Sequence, residues 1–232
     1  MFKIIKIEET TTVMDYIKQF NINTVVIANK QTKGRGKGNR TWISQKSNNL
    51  YMAISMDSSN KNINYFNYCF ISAIIMAESL KELINVDVNL KIKWPNDILL
   101  NNKKICGILL ENDLQRNVLI IGIGVNIDYS PVFDNKMLFP PTNVKREGFI
   151  VNKDELIDIF LKKFKKFDAN NFTLIKDKLI KYFYNFGKEI VVKNDDREIV
   201  GVFKDIDNDG SLILECDSVE KKFFSGDVFE LN

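Results

Sequence analysis

The order of apolar and polar residues along the chain predicts alternating strands and helices. Residues 1–7 (MFKIIKI) alternate like a half-buried strand, and residues 13–20 repeat apolar side chains at helical spacing after three threonines, one of which is the expected helix cap. The 66–83 segment is apolar on most sides, which is typical of a buried helix. Further strands are predicted at 24–28, 50–56, 90–94, 97–100, 104–111 and 118–127, and further helices at 153–167 and 172–186.

The pattern changes after residue 186. Short strand-like runs follow, separated by turn-forming segments at 194–196 and 207–210. Their spacing is typical of a small β-barrel. We therefore predict a larger domain over residues 1–186 and a small β-barrel domain over residues 187–232. The predicted strands of the second domain are 189–192, 199–203, 211–215 and 221–224.

Charge and hydropathy narrow the class of protein. The 232 residues include 33 basic and 30 acidic side chains, a balance that argues against a general binder of nucleic acid or membrane surfaces. No apolar run approaches the roughly 20 residues of a membrane span, and the first residues do not form a signal peptide. The sequence therefore predicts a soluble, cytoplasmic protein that does not contact a membrane.

The inventory of reactive side chains limits the chemistry. Histidine is absent, which excludes Ser-His-Asp and Cys-His catalysis and histidine metal sites. Cys69, Cys106 and Cys216 lie far apart among apolar residues, so we expect reduced core thiols. Chemistry must then rest on Lys, Arg, Asp, Glu and the backbone. Adenylation, which mainly requires charge neutralisation and alignment, is compatible with that set.

Residues 31–42 (QTKGRGKGNRTW) place three glycines between cations and end in a tryptophan. Glycine lets the backbone approach phosphate closely, and Arg35, Lys37 and Arg40 offset anionic charge. The spacing fits neither the Walker loop nor the Rossmann fingerprint. By itself, the segment is as consistent with a basic surface turn as with a nucleotide-binding loop.

Three motifs follow that loop: KWPND at 93–97, KKICG at 103–107 and GIGVN at 122–126. Together with the loop, the EETTT stretch at 8–12 and the C-terminal strands, they resemble biotin protein ligases over nearly the whole chain. Members of that family join biotin to ATP, forming biotinyl-5′-AMP and pyrophosphate, and then biotinylate one lysine of a carrier domain. The resemblance implies an α+β fold with a class II aminoacyl-tRNA synthetase-like mixed sheet flanked by helices, an SH3-like C-terminal domain, and magnesium as cofactor.

The resemblance also implies roles for individual residues. Lys104 matches the lysine that holds the biotin or adenylate oxygen, Gly107 matches the small residue beside the bicyclic ring, and Asp97 would bind magnesium or orient the acceptor lysine. The implied catalytic residues are Lys104, Arg35 and Asp97. The implied biotin-binding residues are Thr11, Thr12, Gln31, Gly34, Arg35, Lys104 and Gly107. The implied ATP- and adenylate-binding residues are Arg35, Gly36, Lys37, Arg40, Trp42, Asn96 and Asn126.

The face on which Lys104 lies can be predicted from strand alternation. Residues two apart share a face, so we expect Lys104 beside Cys106, Ile108 and Leu110, with its ammonium partly desolvated. A lysine in that position needs an anionic partner.

One position departs from the family pattern. The usual Ser-Thr-Asn is Thr11-Thr12-Val13 here, so backbone groups at 12 and 13 and the Gln31 amide would have to serve biotin's ureido ring. Purely structural roles stay open for several site residues: the threonines as helix caps, Trp42 as a core anchor, Asp97 as a hairpin cap and Asn126 as a turn residue.

Three other functions are compatible with parts of the sequence. A lipoate protein ligase shares fold and chemistry, but its pattern includes a histidine-containing strand. A catalytically silent module that binds biotin or a carrier domain, and a nucleic-acid binder, are further alternatives. The sequence starts at the catalytic domain with no helix-turn-helix ahead of it, so we expect no operator-DNA binding. The expected partner is the biotin carboxyl carrier domain of a carboxylase such as acetyl-CoA carboxylase, and either a monomer or a homodimer is compatible with the sequence.

Overall fold

The computed structural model describes residues 2–45, 48–60, 64–133, 137–194 and 197–231, which form two β-sheets and their flanking helices. The larger sheet contains β1 (Lys3–Thr10), β2 (Thr24–Gln31), β3 (Leu50–Asp57), β4 (Leu90–Lys93), β5 (Asp97–Leu100), β6 (Lys103–Asp113) and β7 (Val118–Val125). Its strand order is β1-β2-β3-β7-β6-β5-β4. β1 and β2 run parallel, and all other neighbours are antiparallel. The predicted mixed sheet is confirmed.

Helices cover both faces of this sheet. On one face lies the short helix α1 (Val13–Tyr16), which continues as a 3-10 turn, Ile17–Gln19, and buries its apolar residues against β2, β3 and β7. On the other face the larger core contains residues of α2 (Asn67–Ile84), α3 (Lys153–Phe164) and α4 (Phe172–Tyr182). The predicted burial of α2 is confirmed, because most of its residues are inaccessible to solvent.

Local chemistry explains where several elements begin and end. Thr12 is the threonine that caps α1, accepting a hydrogen bond from the Met14 amide at 3.3 Å. Asn101 and Asn102 both have positive φ and form the tight turn between β5 and β6. All three cysteines are free and buried, as predicted, and burial raises the pKa of the Cys69 thiol to about 12.

Helix α4 is shorter than the sequence predicts. It ends at Tyr182 rather than Phe186, because the chain becomes extended at Phe183 and the Tyr184 amide donates to the Ile92 carbonyl at 2.9 Å. Pairing with the edge of β4 therefore replaces the last helical turn, which the apolar spacing alone could not reveal. α3 likewise ends at Phe164, three residues before the predicted end.

The smaller sheet is antiparallel and has the order β11-β10-β9-β8-β12. Its strands are β8 (Glu189–Asn194), β9 (Arg197–Ile206), β10 (Leu212–Cys216), β11 (Val219–Phe223) and β12 (Asp227–Glu230). β12 is not among the predicted strands, because a four-residue run with charged ends has too little alternation to be recognised. Residue 1 of the predicted first strand and residues 195–196 of a predicted turn lie outside the described residues. The domain boundary at 186 and the SH3-like barrel stay predictions.

The turn at 207–210, between β9 and β10, contacts Trp94, which follows β4, and residues that precede α2. The Trp94 indole donates to the Gly210 carbonyl at 3.2 Å, and the Asn64 amide donates to the Asn208 carbonyl at 2.8 Å. Gly210 has a φ of 84°, and a Cβ there would lie 2.3 Å from the Phe66 ring. This turn therefore requires glycine both for its backbone and for its packing.

No helix in the described ranges combines the length and the apolar character that a membrane crossing requires.

Candidate functional site

A cavity of about 600 Å³ lies on the α1 side of the larger sheet, where the glycine loop and β12 face it. Most predicted site residues line it, but Thr11 and Gly34 do not. The predicted residues that line it are Thr12, Gln31, Arg35, Gly36, Lys37, Arg40, Trp42, Asn96, Asp97, Lys104, Gly107 and Asn126. Residues far apart in the sequence therefore meet at one site.

The glycine loop is a hairpin across residues 34–42. The Gly36 amide donates to the Arg40 carbonyl at 2.7 Å, and the Trp42 amide donates to the Gly34 carbonyl at 2.9 Å. A Cβ on Gly34 would lie 2.3 Å from the Trp42 carbonyl oxygen. Gly34 is therefore required for the close approach of the two hairpin arms, while its neighbours contact the cavity.

The prediction that Lys104 shares a face with Cys106, Ile108 and Leu110 is wrong. Between β5 and β6 the register shifts, so that Ile105 is an extra residue between the paired positions Lys104 and Cys106. Both Ile105 and Cys106 point into the larger core. Lys104 instead lies on the cavity side, with its Cε 3.6 Å from the position of a Cβ on Gly107. A β-bulge, which breaks the alternation of the strand, therefore directs Lys104 into the cavity.

Lys104 and Asp97 form an ion pair inside the cavity. Lys104 Nζ lies 2.7 Å from Asp97 Oδ1, and the side chains are 29% and 16% exposed. Asp97 Oδ1 is buried, and among the described residues no group donates a hydrogen bond of standard geometry to it. The ammonium also lies 5.5 Å from the centre of the Trp42 ring. The pair therefore has unused hydrogen-bonding capacity on both partners.

Two further lysines place positive charge in the cavity. Lys93 is 6% exposed, with its ammonium 5.2 Å from the Phe139 ring centre, and Lys37 is half-buried, 5.9 Å from the Trp94 ring centre. Desolvation lowers the pKa of both amines, although Asp97 and Asp227 act in the opposite direction. Buried ammonium groups with aromatic neighbours favour an anionic ligand, which would restore the lost solvation.

Arg40 is held by the smaller sheet. Its guanidinium makes two hydrogen bonds to the carboxylate of Asp227 on β12. Burial raises the pKa of Asp227, but the hydrogen bond from Arg40 and nearby positive charges outweigh that effect, so the pKa lies below its usual value. Phe229 of β12 also lines the cavity. The last strand therefore completes one wall of the site.

Arg35 forms ion pairs with two carboxylates, neither of which is Asp97. Its guanidinium lies 3.0 Å from Asp15 and 2.9 Å from Glu111, and Lys18 pairs with the same two carboxylates. All four side chains are partly exposed, so each pair contributes little to stability. Arg35 must leave these partners before it can bind a ligand anion.

The predicted ureido-binding groups are bonded to one another. Gln31 Oε1 accepts from the Val13 amide at 2.8 Å, and Gln31 Nε2 donates to Ser44 Oγ at 2.9 Å. Thr12 is 2% exposed and caps α1, whereas Thr11 is exposed and lies outside the lining. A ureido ring would have to exchange these bonds for its own.

The two predicted asparagines support the walls. Asn96 Nδ2 donates to the Ile108 carbonyl at 2.7 Å, and Asn126 Nδ2 donates to the Thr142 carbonyl at 3.0 Å. Thr142 in turn donates through its amide to the Lys104 carbonyl. The side-chain amides of Asn96 and Asn126 therefore stabilise the strand that carries Lys104, independently of any role in ligand binding.

Sequence reasoning missed several lining residues. Lys93 belongs to the KWPND motif, but no role was predicted for this lysine. Asp227 and Phe229 gave no local signal, because β12 itself was missed. The 131–141 segment adds apolar residues that no pattern indicated, namely Pro131, Phe133, Met137, Leu138, Phe139 and Pro141.

Asp97 is the residue to which the sequence analysis assigns a metal. In the part of the chain that the structure describes, no three His, Cys, Asp or Glu side chains come close enough to hold a metal ion. Asp97 fits as a single carboxylate ligand, because it lines the cavity with only the Lys104 ion pair at its buried Oδ1, and Mg²⁺ is commonly held by one or two carboxylates together with substrate phosphates.

Family models match both parts of the chain. The model described as the biotin/lipoate A/B protein ligase family matches residues 2–128, and the biotin protein ligase C terminal domain matches residues 186–229. The chain therefore belongs to the biotin/lipoate A/B protein ligase family.

Individual relatives are consistent with membership of this family. The chain is 30% identical to the bifunctional ligase/repressor BirA of Bacillus subtilis over 88% of its own length, and it spans only 65% of that protein. It is 28% identical to the biotin–[acetyl-CoA-carboxylase] ligase of Paracoccus denitrificans, covering 88% of this chain and 89% of that protein. The biotin protein ligase of Aquifex aeolicus in complex with biotin and ATP superposes with a TM-score of 0.80 over 97% of each chain, at 24% identity. That structural likeness establishes the fold.

Proposed function

We propose that this protein is a biotin protein ligase. It activates biotin with ATP to biotinyl-5′-AMP and pyrophosphate, and then transfers biotin to a lysine of a biotin carboxyl carrier domain. Family membership and the Paracoccus relative's name support this activity. The proposal rests most directly on one observation, the two-part character of the cavity.

The lining of the cavity has an apolar part and a cationic part. Val13 and Met14 of α1 and Leu109 of β6 belong to the apolar part. Lys37, Lys93 and Lys104 form the cationic part. A compact apolar body that ends in a carboxylate and meets a nucleotide triphosphate matches this division.

In the first step, a carboxylate oxygen of biotin attacks the α-phosphorus of ATP. The bond from that phosphorus to the oxygen bridging to the β-phosphate breaks, and pyrophosphate leaves. Both reactants are anionic, so the reaction needs cations where they meet. We assign Lys104 to the biotin carboxylate and α-phosphate, and Lys93 to the phosphates. Lys37 helps to retain the adenylate, and Arg35 joins it after leaving Asp15 and Glu111.

Magnesium, when bound, would offset phosphate charge, and Asp97 would be its protein ligand. In the second step the neutral amine of the acceptor lysine attacks the acyl carbon, AMP leaves and one proton is released. Asp97 lies next to Lys104 and is the carboxylate placed to orient that amine. The remaining binding assignments stay as the family pattern gives them, with Thr12, Gln31 and Gly107 at the biotin ring.

The test is biotin-dependent exchange of labelled pyrophosphate into ATP with Mg²⁺, with lipoate and octanoate run in parallel. Exchange with biotin alone is the expected result, and it should fall by about 10²–10³-fold in Lys104→Ala. Lys91→Ala, a lysine outside the cavity lining, is the matched control and should keep the wild-type rate. Exchange with lipoate or octanoate instead would assign the sister activity, and no exchange with any acid would indicate a silent module.

A further inference from the structure

Asn49 is a fully buried residue immediately before β3, at the point where β3 begins beside the end of β7. Its side-chain oxygen accepts hydrogen bonds from three consecutive backbone amides, those of Ile127, Asp128 and Tyr129, at 2.8, 3.1 and 3.2 Å. Its side-chain nitrogen donates to the Tyr129 carbonyl at 2.9 Å. Both ends of the side-chain amide are therefore bonded to the segment 127–129.

The surroundings of Asn49 determine the orientation of its amide. N–H groups surround the oxygen and a carbonyl faces the nitrogen, so a flipped amide would bring like groups together. The nitrogen also donates to the Tyr51 hydroxyl at 3.3 Å, and that hydroxyl donates to the Gln45 carbonyl at 3.2 Å. Asn49 thus connects the segment that follows the glycine loop to the segment that follows the GIGVN motif.

The segment 127–129 lies beyond the last residue of β7, where the strand ladder no longer provides acceptors for its amides. The oxygen of Asn49 provides one acceptor for all three amides. Rotation of any one of these peptide groups would break its hydrogen bond. The shared acceptor therefore fixes the backbone conformation of the segment.

Asn126, which lines the cavity, directly precedes this segment. Its backbone amide donates to the Ile105 carbonyl at 2.7 Å, and its side chain donates to the Thr142 carbonyl at 3.0 Å. Ile105 is the bulge residue next to Lys104, and the Thr142 amide donates to the Lys104 carbonyl at 2.9 Å. Both contacts of Asn126 therefore lead to the backbone from which Lys104 projects.

We propose that Asn49 is a positioning residue, which fixes the segment 127–129 and, through Asn126, holds Lys104 in its place in the cavity. This inference rests on the proposed function, in which Lys104 binds the biotin carboxylate and the α-phosphate. A cation that stabilises the reacting groups must be placed to within about 1 Å. Asn49 does not line the cavity, so it acts on the reaction only through the backbone that it holds.

The rate of pyrophosphate exchange at saturating biotin and ATP tests this role. Asn49→Ala removes the shared acceptor, and its rate per folded molecule should fall about 10- to 100-fold, because Lys104 moves away from the reacting groups. Asn49→Asp keeps an oxygen for the three amides and should stay within about threefold of wild type. Asn67→Ala, which removes a buried asparagine of α2 outside the cavity lining, is the matched control and should keep the wild-type rate.

A readout on Lys104 itself separates positioning from a loss of folded protein. Its ammonium lies 5.5 Å from the centre of the Trp42 ring, so the ring current affects the NMR signal of the neighbouring Cε protons. In protein labelled with ¹³C-lysine, Lys104→Arg assigns this signal. The signal should shift in Asn49→Ala and keep its position in Asn49→Asp and Asn67→Ala. Circular dichroism and denaturant unfolding give the folded fraction of each variant.

Three results would overturn the positioning role. The first is a Lys104 signal and an exchange rate that Asn49→Ala leaves unchanged, which would still leave the proposed function intact. The second is an equal loss of exchange in Asn67→Ala, because removal of any buried amide would then explain both. The third is a rate for Asn49→Asp as low as that of Asn49→Ala, because the acceptor oxygen would then not be what positions Lys104.

Two further arrangements keep the test decisive. If Asn49→Ala does not fold, Asn49→Ser, whose hydroxyl keeps an acceptor on a shorter side chain, takes its place with the same expected direction of change. If the wild-type protein shows no biotin-dependent exchange, the proposed function is wrong. The shift of the Lys104 signal then still decides whether Asn49 positions that lysine.

Discussion

Lys93 and Lys91 lie two residues apart on β4 and have different surroundings. Lys93 is buried in the cavity beside Phe139, whereas Lys91 is half-buried and lies outside the lining. Burial lowers the pKa of Lys93 most strongly, Lys104 and Arg40 lower it further, and Asp97 and Asp227 raise it. The net effect is a pKa below the ordinary value of 10.5. At the residue scale, burial thus decides how readily the Lys93 ammonium loses its proton.

This difference predicts a pH dependence. Phosphate binding needs Lys93 in its charged form, so pyrophosphate exchange should decline on the alkaline side at a pH below 10.5, where the lowered pKa removes the charge. Lys93→Arg keeps its charge there and should move the alkaline limb upward. Lys91→Arg should leave the profile unchanged. A limb that is the same in all three proteins would show that another group titrates.

At the scale of elements, the position of Lys104 depends on hydrogen bonds between the turn that joins β5 to β6 and the loop at 140–147. We call this set of hydrogen bonds the clamp. Glu147 accepts hydrogen bonds from Asn101, Lys103 and Thr142, at 2.7–3.0 Å, and its side chain is 7% exposed. The residues on either side of Pro141 pair with the start of β6: the Lys104 amide donates to the Pro140 carbonyl, and the Thr142 amide donates to the Lys104 carbonyl. The clamp therefore fixes the backbone of the strand from which Lys104 projects.

Glu147→Ala should lower the free energy of unfolding by about 1–3 kcal/mol, because it leaves the buried Thr142 hydroxyl without its acceptor. Burial raises the pKa of Glu147, but its three hydrogen bonds outweigh burial and lower it below 4.5. Its stabilisation is therefore complete above the unfolded pKa and is lost as pH falls below about 4.5 toward the folded value. Denaturant unfolding against pH checks this, with exposed Glu220→Ala as the control. Equal acid sensitivity in both variants would contradict the clamp.

The elements also show what the sequence could and could not predict. Strands β1, β2, β3, β6 and β7 and helix α2 followed from periodicity, because each has enough residues for its period to be visible, whereas the four-residue strands β4 and β5 were indicated by Pro95 between them and by the Asn101-Asn102 turn. The motifs contain most of the residues that line the cavity, because a short motif specifies both a backbone conformation and a set of charged side chains. Alternation failed at Lys104, because a bulge of one residue reverses faces without leaving a mark in the composition. Pairing with distant strands determined the end of α4 and the existence of β12, and local pattern carries no information about that.

At the scale of the whole molecule, the two sheets act on one cavity. The turn at 207–210 receives the Trp94 hydrogen bond, and β12 supplies Asp227 and Phe229. The smaller sheet thus binds Trp94 of the KWPND motif through its turn and forms part of the cavity wall through β12. Its position should matter for nucleotide binding even though it carries none of the three lysines.

Gly210→Ala and Gly148→Ala test this arrangement as a matched pair. Both glycines have positive φ, 84° and 94°, so alanine strains the backbone similarly. Only at Gly210 would the new Cβ meet another side chain, 2.3 Å from Phe66, whereas at Gly148 nothing lies within 4 Å. Gly210→Ala should cost about 1–3 kcal/mol more stability and raise the KM for ATP. Equal effects in thermal unfolding and in ATP dependence would mean that docking of the turn is not transmitted to the cavity.

The position of β12 in the chain also has a consequence during translation. Asp227 closes the cavity wall, yet it is synthesised about 100 residues after Asn126, which ends the preceding set of lining motifs. At about 5–20 residues per second, the ribosome reaches it roughly 5–20 s later. During that interval a nascent chain presents the glycine loop and the KWPND strand without the carboxylate that holds Arg40. Nucleotide should therefore begin to stabilise the protein only after β12 has been synthesised.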